Sequence, residues 1–149
     1  MRFRLYPTQA QETTLAEHCR QARFVWNLAL EQANLYRPGR PTPRYNAQAA
    51  QLTEARATFP WLAAGSVTVQ QQALRDFDQA MRNFFAGTHR RPTWRKQGQH
   101  EGFRHVAVQP SHIERLNRHW GRVFVPKCGG VRFRGPRQVP AAKSYRGPC

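Results

Sequence analysis

The sequence predicts an α+β protein in which a bundle of helices precedes a strongly basic segment of short strands. Two observations support this fold class. Apolar residues recur at helical spacing up to residue 85, whereas the later segments alternate apolar and charged residues as strands do. The charge changes at the same place, because residues 1–85 contain 10 basic and 6 acidic side chains and residues 86–149 contain 14 basic and 2 acidic side chains.

The first predicted element is a half-buried strand over Arg2–Tyr6, in which apolar and charged side chains alternate. Pro7 ends this strand. Thr8 and Gln11 then have the spacing of a capping box, which predicts a helix that begins at about Gln9.

Helical periodicity continues through four predicted helices. The first is followed by a second, more apolar helical stretch that ends near Leu35, and a proline-rich loop over Arg37–Arg44 comes next. A third helix is predicted over Tyr45–Arg56, and a fourth begins after Ser66 and extends to Phe85. Four amphipathic helices of this kind can bury one another as a small bundle.

After Gly87 the pattern becomes that of short strands. Val106–Val108 is a short apolar run, and the segments 122–125 and 131–134 alternate apolar and charged residues. Cys128–Gly130 lies between these two segments and is a turn signal, so the pair is predicted to form a hairpin.

The chain of 149 residues carries a net charge of +16, and 21 of its 24 basic residues are arginines. A charge this large attracts polyanions, so nucleic acid is the predicted partner and an enzyme with a small-molecule substrate is disfavoured. No apolar run approaches the ~18 residues of a membrane span, and the N-terminus has no apolar stretch of the secretory type. Three cysteines without a Cys-x-x-Cys pair indicate a reducing compartment, and therefore a cytoplasmic location.

The sequence contains no pattern that predicts catalysis, a cofactor or a metal site. None of the six histidines stands in a zinc-type pattern, and no glycine-rich phosphate loop is present. A two-metal nuclease needs several converging carboxylates. The basic segment offers only Glu101 and Glu114, while Asp76 and Asp78 point to different faces of their helix.

Aromatic and cationic residues are interleaved in the basic segment, as in Trp94–Lys96 and Arg132–Arg134. Bases can stack on such aromatic rings while arginine and lysine hold phosphates. The alternation also has a simpler structural interpretation, with Phe133 facing inward and its neighbouring arginines facing outward. Both interpretations can hold together, because the outward arginines still face a partner or solvent.

A series of short motifs resembles the TnpB proteins, which are the OrfB-type transposases of insertion sequences. Each motif is short, and together they run in the family's order from residue 2 to about residue 146. The motifs are Arg4–Thr8, Ala22–Leu30, Phe59–Leu62, Gln72–Asp78, Asn83–Phe85, Arg91–Lys96, Phe103-Arg104 and Val125–Lys127.

This resemblance implies an RNA-guided DNA endonuclease whose helical recognition domain is inserted after the first strand of a small β-barrel wedge domain. Residues 1–7 are then the first wedge strand, residues 8–87 the recognition domain with a helix-turn-helix region over 8–36, and residues 88–149 the basic remainder of the wedge. In the family a RuvC-like nuclease domain follows. The resemblance therefore implies a chain truncated before that domain, with an incomplete barrel and no catalytic site of its own.

The implied partners are guide RNA and double-stranded DNA. By position in the family pattern, Tyr45 and Gln71 are candidate readers of the DNA motif beside the target, since glutamine suits adenine edges and tyrosine packs on a base or sugar. An ordinary exposed helix position is the alternative for Gln71. The candidate contacts to nucleic acid along the basic segment are Arg91, Arg95, Lys96, Phe103, Arg104, Lys127, Arg132 and Arg134.

Three other functions remain open at this point. The chain could be a nuclease acting on DNA, a stand-alone basic helix-turn-helix protein that binds duplex DNA without RNA, or an inactive remnant of a transposase. The sequence identifies neither the RNA nor the oligomeric state.

Overall fold

A computed structural model describes residues 3–35, 39–99, 101–106, 108–135 and 144–148. Within these ranges the chain is a mixed helix and sheet protein, as the predicted α+β class requires. Parts of the predicted first strand, proline-rich loop and apolar run fall on Arg2, Arg37, Pro38 and Ala107, which lie outside the described residues.

The first strand and the first helix are joined by the predicted capping box. Strand β1 spans Arg4–Tyr6 and helix α1 spans Gln9–Asn34. The Thr8 hydroxyl accepts a hydrogen bond from the Gln11 backbone N–H at 3.3 Å, and the Gln11 side chain accepts one from the Thr8 N–H at 3.0 Å. Two backbone donors at the start of α1 are thus satisfied.

Helix α1 corrects the prediction of two separate helical stretches, because it continues without a break for 26 residues. No glycine or proline interrupts residues 9–34, so nothing in the sequence ends the helix between the two apolar stretches. One buried stripe, which includes Leu15, Ala22, Val25 and Ala29, runs along its length. The two predicted stretches are therefore two parts of the same core-facing stripe.

The remaining helices are α2 over Tyr45–Thr58, the single turn α3 over Pro60–Ala63, and α4 over Val67–Phe85. As predicted, Ser66 caps α4, since its hydroxyl accepts a hydrogen bond from a backbone N–H in the first turn. The rings of Trp26 on α1 and Phe77 on α4 meet edge to face, with centroids 5.2 Å apart. This contact lies in the core between the two longest helices.

The strands form a four-stranded antiparallel sheet and a separate two-stranded sheet within the described residues. The strands that follow the helices are β2 over Gly102–Val106, β3 over Ile113–Arg115, β4 over Trp120–Val125, β5 over Gly129–Arg134 and β6 over Ser144–Pro148. The larger sheet has the order β1-β5-β4-β3, and β2 pairs with β6 in the smaller one. The predicted hairpin is the pair β4 and β5.

Strand β1 pairs with β5, with Arg4 opposite Arg134, although the helices lie between them in sequence. The helices and the larger sheet also share one core, to which Val123, Val125, Val131 and Phe133 contribute the inner face of the sheet. The opposite face of this sheet is therefore left to solvent.

Two side chains of α1 hold the β4–β5 hairpin against the helices. His18 Nε2 lies 2.7 Å from the carbonyl oxygen of Pro126, and the Gln11 amide donates to the carbonyl of Gly130 at 2.9 Å. The turn itself contains Lys127 in the left-handed backbone region, at φ 63°. These contacts fix the position of the hairpin relative to α1.

Candidate nucleic-acid interface

The solvent side of the four-stranded sheet carries arginines and aromatic rings at neighbouring positions. Along β5, Val131 and Phe133 are buried, while Arg132 and Arg134 are exposed, because successive side chains of a strand point to opposite faces. We call this solvent side the outer sheet face. Its members are Arg4, Tyr6, Trp120, Arg122, Phe124, Arg132 and Arg134.

The strand register places cations beside rings on the outer sheet face. Arg132 stands opposite Tyr6 on one side, and Arg134 stands opposite Trp120 on the other. The guanidinium carbon of Arg132 lies 4.6 Å from the Trp120 ring centroid, and the rings of Tyr6 and Trp120 meet edge to face at 5.0 Å. Phe124 is 50% exposed. Such a surface can stack bases while its guanidiniums hold phosphates.

One acidic side chain is paired with this surface. Glu114 of β3 stands opposite Arg122 of β4 and forms an ion pair with it. Arg4, Arg132 and Arg134 have no ion pair with a carboxylate within the described residues, so the face is cationic.

A second basic surface is formed by residues 88–99, which we call the basic loop. It is held against α1 through one indole and one amide. Trp26 Nε1 donates to the carbonyl of Thr93 at 2.9 Å, while the side chain of Asn27 both donates to and accepts from the backbone of Arg95, at 3.1 and 2.9 Å. The guanidinium carbon of Arg95 lies 3.9 Å from the Trp26 ring centroid.

The other predicted cations of the basic loop differ in how firmly they are held. Arg91 donates to the side chain of Asn34 at 2.9 Å, which ties the loop to the end of α1. Lys96 is exposed. Trp94, which is outside our predicted set, is 50% exposed and gives the loop a ring on which a base can stack.

A third surface lies between the start of α2 and the exposed side of α4. Tyr45 is half-buried at the start of α2, and the guanidinium carbon of Arg75 lies 4.4 Å from its ring centroid. Gln71 is exposed one turn before Arg75 on α4. Tyr45 and Gln71 therefore lie toward the same side of α4, since Arg75, one turn after Gln71, contacts Tyr45.

Asp78 organises the charges at this third surface. Its carboxylate accepts from Arg44 Nε at 2.9 Å and from Arg82 Nε at 3.0 Å. Burial raises the pKa of the Asp78 carboxyl, but the hydrogen bonds and charges of Arg44 and Arg82 outweigh it and hold that pKa below its ordinary value. The hydrogen bond to Asp78 in turn raises the pKa of Arg44. Asp78 is therefore a buried anion with two cations fixed to it.

Phe103 corrects one of the predicted contacts. Its side chain is 3% exposed and packs in the core, with its ring centroid 5.1 Å from that of His18. A ring in this position is inaccessible to a base. Phe103 alternates with Arg104 on β2, and it is the inward residue of the pair.

Two other predicted cations lie apart from the three surfaces. Arg104 is half-buried on β2 and forms an ion pair with Asp76 of α4 at 3.4 Å, so part of its charge is used within the protein. Lys127 is exposed in the β4–β5 turn. Apart from the buried Phe103, the predicted residues are thus distributed over three surfaces and two isolated positions.

Sequence reasoning missed part of each cationic surface. It did not single out Arg4, Tyr6, Trp120, Arg122 or Phe124 of the outer sheet face, or the arginines around Asp78. Strand alternation indicates which residues point outward. It does not tell which strands are neighbours, and the contact of Tyr6 with Trp120 depends on that pairing.

No group of three or more histidine, cysteine or acidic side chains stands close enough to hold a metal ion in the part of the chain that the structure describes. No helix among the described residues is long and apolar enough to cross a membrane.

Comparison with known proteins identifies the class and then a particular relative. A family model for the helix-turn-helix domain of OrfB-type proteins matches residues 1–38. A protein of Escherichia coli (strain K12) named "Putative RNA-guided DNA endonuclease InsQ" is 32% identical over 141 residues, which are 93% of this chain and 34% of that protein. The chain belongs to the TnpB/OrfB family of insertion-sequence proteins, and it spans about a third of the length of this relative.

The described residues of the matched range contain one helix. Residues 4–34 form β1 and the uninterrupted helix α1. Residues 9–34 therefore contain no turn, although the matching family model is described as a helix-turn-helix domain.

Proposed function

We propose that this chain is the nucleic-acid-binding N-terminal part of a transposon-encoded RNA-guided DNA endonuclease. It binds guide RNA and the DNA motif beside the target, and it does not itself cleave DNA. The observation that carries the proposal is the outer sheet face, where three arginines without a carboxylate partner among the described residues adjoin three aromatic side chains. The name of the Escherichia coli relative refers to RNA and DNA, which are polyanions that a cationic surface of this kind can bind.

The proposal includes the domain organisation that the family resemblance implies. Residues 1–7 and 88–149 belong to a wedge domain built as a β-barrel, and residues 8–87 form a helical recognition domain inserted after its first strand. The pairing of β1 with β5 supports this division, since the helices lie in sequence between two neighbouring strands of one sheet. The outer sheet face and the basic loop are then wedge surfaces for guide RNA.

The helical part carries the DNA-reading role in this proposal. Tyr45 and Gln71 contact the motif beside the target, and the bases beyond that motif are read by pairing with the guide RNA, as in RNA-guided effectors. The exposed position of Gln71 and the contact between Tyr45 and Arg75 support a shared reading surface. Phe103 has no part in it because it is buried.

The salt dependence of RNA binding tests the proposal. Fluorescence anisotropy with a structured hairpin RNA should give a log affinity that falls with log salt at a slope of about −4 to −5, as expected for about six phosphate contacts. Arg132→Gln should weaken binding about equally for all RNA sequences and make the slope less steep by about 1. Arg20→Gln on α1 is the matched control, because Arg20 is an exposed arginine outside the three surfaces.

Three results would contradict this function. A salt-independent RNA affinity would remove the electrostatic basis of the outer sheet face. Tight duplex DNA binding without RNA binding would favour the stand-alone DNA-binding alternative. Reproducible DNA cleavage in Mg²⁺ would show that the chain is itself a nuclease.

A further inference from the structure

Three arginines and a buried carboxylate line a cleft of about 410 Å³ between the start of α2 and the exposed side of α4. We call it the α2–α4 cleft. Its lining residues are Arg44, Tyr45, Asn46, Arg75, Asp78, Gln79 and Arg82. Asp78 is the only acidic residue among them, so three guanidiniums against one carboxylate leave two net positive charges.

The guanidiniums are held in place by contacts within the protein. Arg44 and Arg82 each donate to a different oxygen of Asp78 through Nε. In the described residues this leaves the terminal nitrogens of both groups available to a ligand. The Asp78 side chain is 11% exposed, while those of Arg44 and Arg82 are 53% and 61% exposed. The anchor is therefore buried and the binding groups face solvent.

Arg75 is fixed by a different contact. It stands one turn before Asp78 on α4, and its guanidinium lies over the ring of Tyr45. Stacking on an aromatic face restrains a guanidinium while leaving its edge free to donate hydrogen bonds. Three guanidiniums around one cleft, two anchored by Asp78 and one by Tyr45, can hold the oxygens of a phosphate group.

The cleft is open along one side of α4, so its shape suits a nucleic-acid strand better than a free phosphate ion. Gln71, Arg75 and Gln79 follow one another at four-residue intervals on α4, and all three are exposed. The cleft therefore continues into an exposed polar ridge instead of closing around its ligand. A nucleic-acid strand that lies along this ridge places one phosphate in the cleft and its neighbouring groups beside Gln71.

We propose that the α2–α4 cleft binds a phosphodiester group of duplex DNA, with Arg44, Arg75 and Arg82 as the binding groups and Asp78 as the residue that positions two of them. This inference rests on the proposed function, because it gives the DNA-reading surface a fixed backbone contact. The contact sets the distance from which Tyr45 and Gln71 reach the bases.

Substituting Arg44 and Arg82 one at a time tests the site. Arg44→Gln and Arg82→Gln are each expected to weaken binding of a short DNA duplex about tenfold, as for loss of one charge-assisted contact. Each should also make the slope of log affinity against log salt less steep by about 1. Arg20→Gln is the matched control, since Arg20 is also 53% exposed and paired with a carboxylate, on α1. It should leave both quantities close to those of the unchanged chain.

Asp78→Asn separates a built site from a merely basic surface. The substitution removes a negative charge, so simple electrostatic attraction predicts tighter DNA binding. Asparagine keeps one acceptor oxygen and presents an NH2 group in place of the other, so at least one guanidinium loses its anchor, and the proposed site predicts weaker binding. Circular dichroism and thermal unfolding identify any loss of folding in this variant, and the two surface arginine variants test the site in either case.

The outcomes distinguish failure of the site from failure of the proposed function. If Arg44→Gln and Arg82→Gln bind DNA as Arg20→Gln does, or if folded Asp78→Asn binds more tightly, the site is wrong while RNA binding through the outer sheet face stands. Titration calorimetry measures binding of inorganic phosphate to the unchanged chain and to Arg44→Gln. If Arg44→Gln loses phosphate binding but keeps the DNA affinity of the unchanged chain, the cleft is a free-phosphate site and the DNA assignment is overturned. If the unchanged chain binds neither RNA nor DNA, the proposed function itself is wrong.

Discussion

At the scale of single residues, three consecutive glutamines of α4 have different environments. Gln70 is fully buried and its amide donates to Gln21 and to the carbonyl of Leu62, at 3.2 and 2.9 Å. Gln72 is buried and donates to Asp76 at 3.1 Å. Gln71, between them in sequence, is exposed. Of the three, Gln71 is therefore the residue whose amide is positioned to meet a partner.

Gln71→Ala is expected to flatten the preference among DNA motifs without changing the salt slope. A good bidentate contact to a base discriminates by about 1–3 kcal/mol, and no phosphate contact is lost. Folding should be almost unaffected, because alanine is a good helix former at an exposed position. The measurement is enrichment from a duplex DNA library with a randomised centre, in the presence of a structured RNA, with Gln9→Ala as the exposed-glutamine control. A variant that retains the full motif preference would make Gln71 an ordinary surface residue.

Phe103 illustrates what a single residue pattern leaves undecided. A phenylalanine next to an arginine on a strand is compatible with a stacking platform and with a core residue beside a surface cation. Sequence reasoning did not predict strand β2 at these residues and assigned both side chains to the nucleic-acid interface. The choice of side for each residue depends on α1 and α4, which cover the inner side of β2 and bury this ring.

At the scale of elements, two of the glycines in the β4–β5 hairpin, Gly121 and Gly130, face very different neighbours. A Cβ atom added at Gly121 would lie 2.5 Å from Phe133 Cζ, whereas one added at Gly130 would meet the stem of Arg122. The Phe133 ring is 4% exposed and packs against Phe3, with centroids 5.5 Å apart. The ring therefore has little room to move, while the arginine stem lies on the solvent side.

Gly121→Ala is expected to lower the free energy of unfolding by about 1–3 kcal/mol, the usual cost of overpacking a core. Gly130→Ala is the matched control in the neighbouring strand, and it should cost less because the Arg122 stem can rotate away. Urea unfolding followed by circular dichroism measures both. Equal costs for the two variants would mean that the Phe133 ring is free to shift and that the inner face is loosely packed.

The same elements show how far local pattern reaches. The hairpin of β4 and β5, the Thr8 capping box and the start of α4 after Ser66 were predictable because each depends on residues close together in sequence. The continuity of α1 was missed because two apolar stretches were read as two helices, although no glycine or proline separates them. The pairing of β1 with β5 joins residues far apart in sequence, and residue pattern alone does not specify such a partner.

In the candidate site too, features that depend on nearby residues were predictable, and features that depend on tertiary packing were not. The outward arginines of β5 and the cations of residues 91–96 were evident from charge and alternation. Asp78 was dismissed as a catalytic candidate because it lies two residues from Asp76 on a helix. Its role as the anchor for Arg44 and Arg82 depends on the packing of α2 against α4, which brings Arg44 to a carboxylate 34 residues away.

At the scale of the whole molecule, two buried histidines lie where the helices meet the strands. His18 and His105 are 2% and 8% exposed. Burial lowers the pKa of His18, against the opposing effects of its bond to Pro126 and of Glu17, while Lys127 lowers it further. Burial also lowers the pKa of His105, and the charges of His112 and His18 add to that effect. The pKa of each histidine is thus held below its ordinary value at the junction of helices and strands.

The sign of the resulting pH dependence follows from linkage. In the unfolded chain each histidine takes up a proton near its ordinary pKa of about 6.5, whereas in the folded chain it does so only at lower pH. The unfolded state therefore binds more protons as pH falls below about 6.5, and the free energy of unfolding decreases there. The decrease is at most about 1.4 kcal/mol per pH unit for each histidine.

The free energy of unfolding is therefore expected to be nearly constant just above neutral pH and to fall as the pH is lowered from about 6.5. His18→Gln should make this fall less steep by up to the contribution of one titrating proton. Glutamine does not titrate, and it keeps an amide donor for the Pro126 carbonyl. His119→Gln, an exposed position, is the control and should retain the steepness of the unchanged chain. Urea unfolding at a series of pH values gives the three profiles. Because His18 fixes the hairpin to α1, amide hydrogen exchange of β4 and β5 should quicken in the unchanged chain over the same pH interval, relative to its intrinsic rate. Identical pH profiles for His18→Gln and the unchanged chain would place the acid sensitivity elsewhere than at this junction.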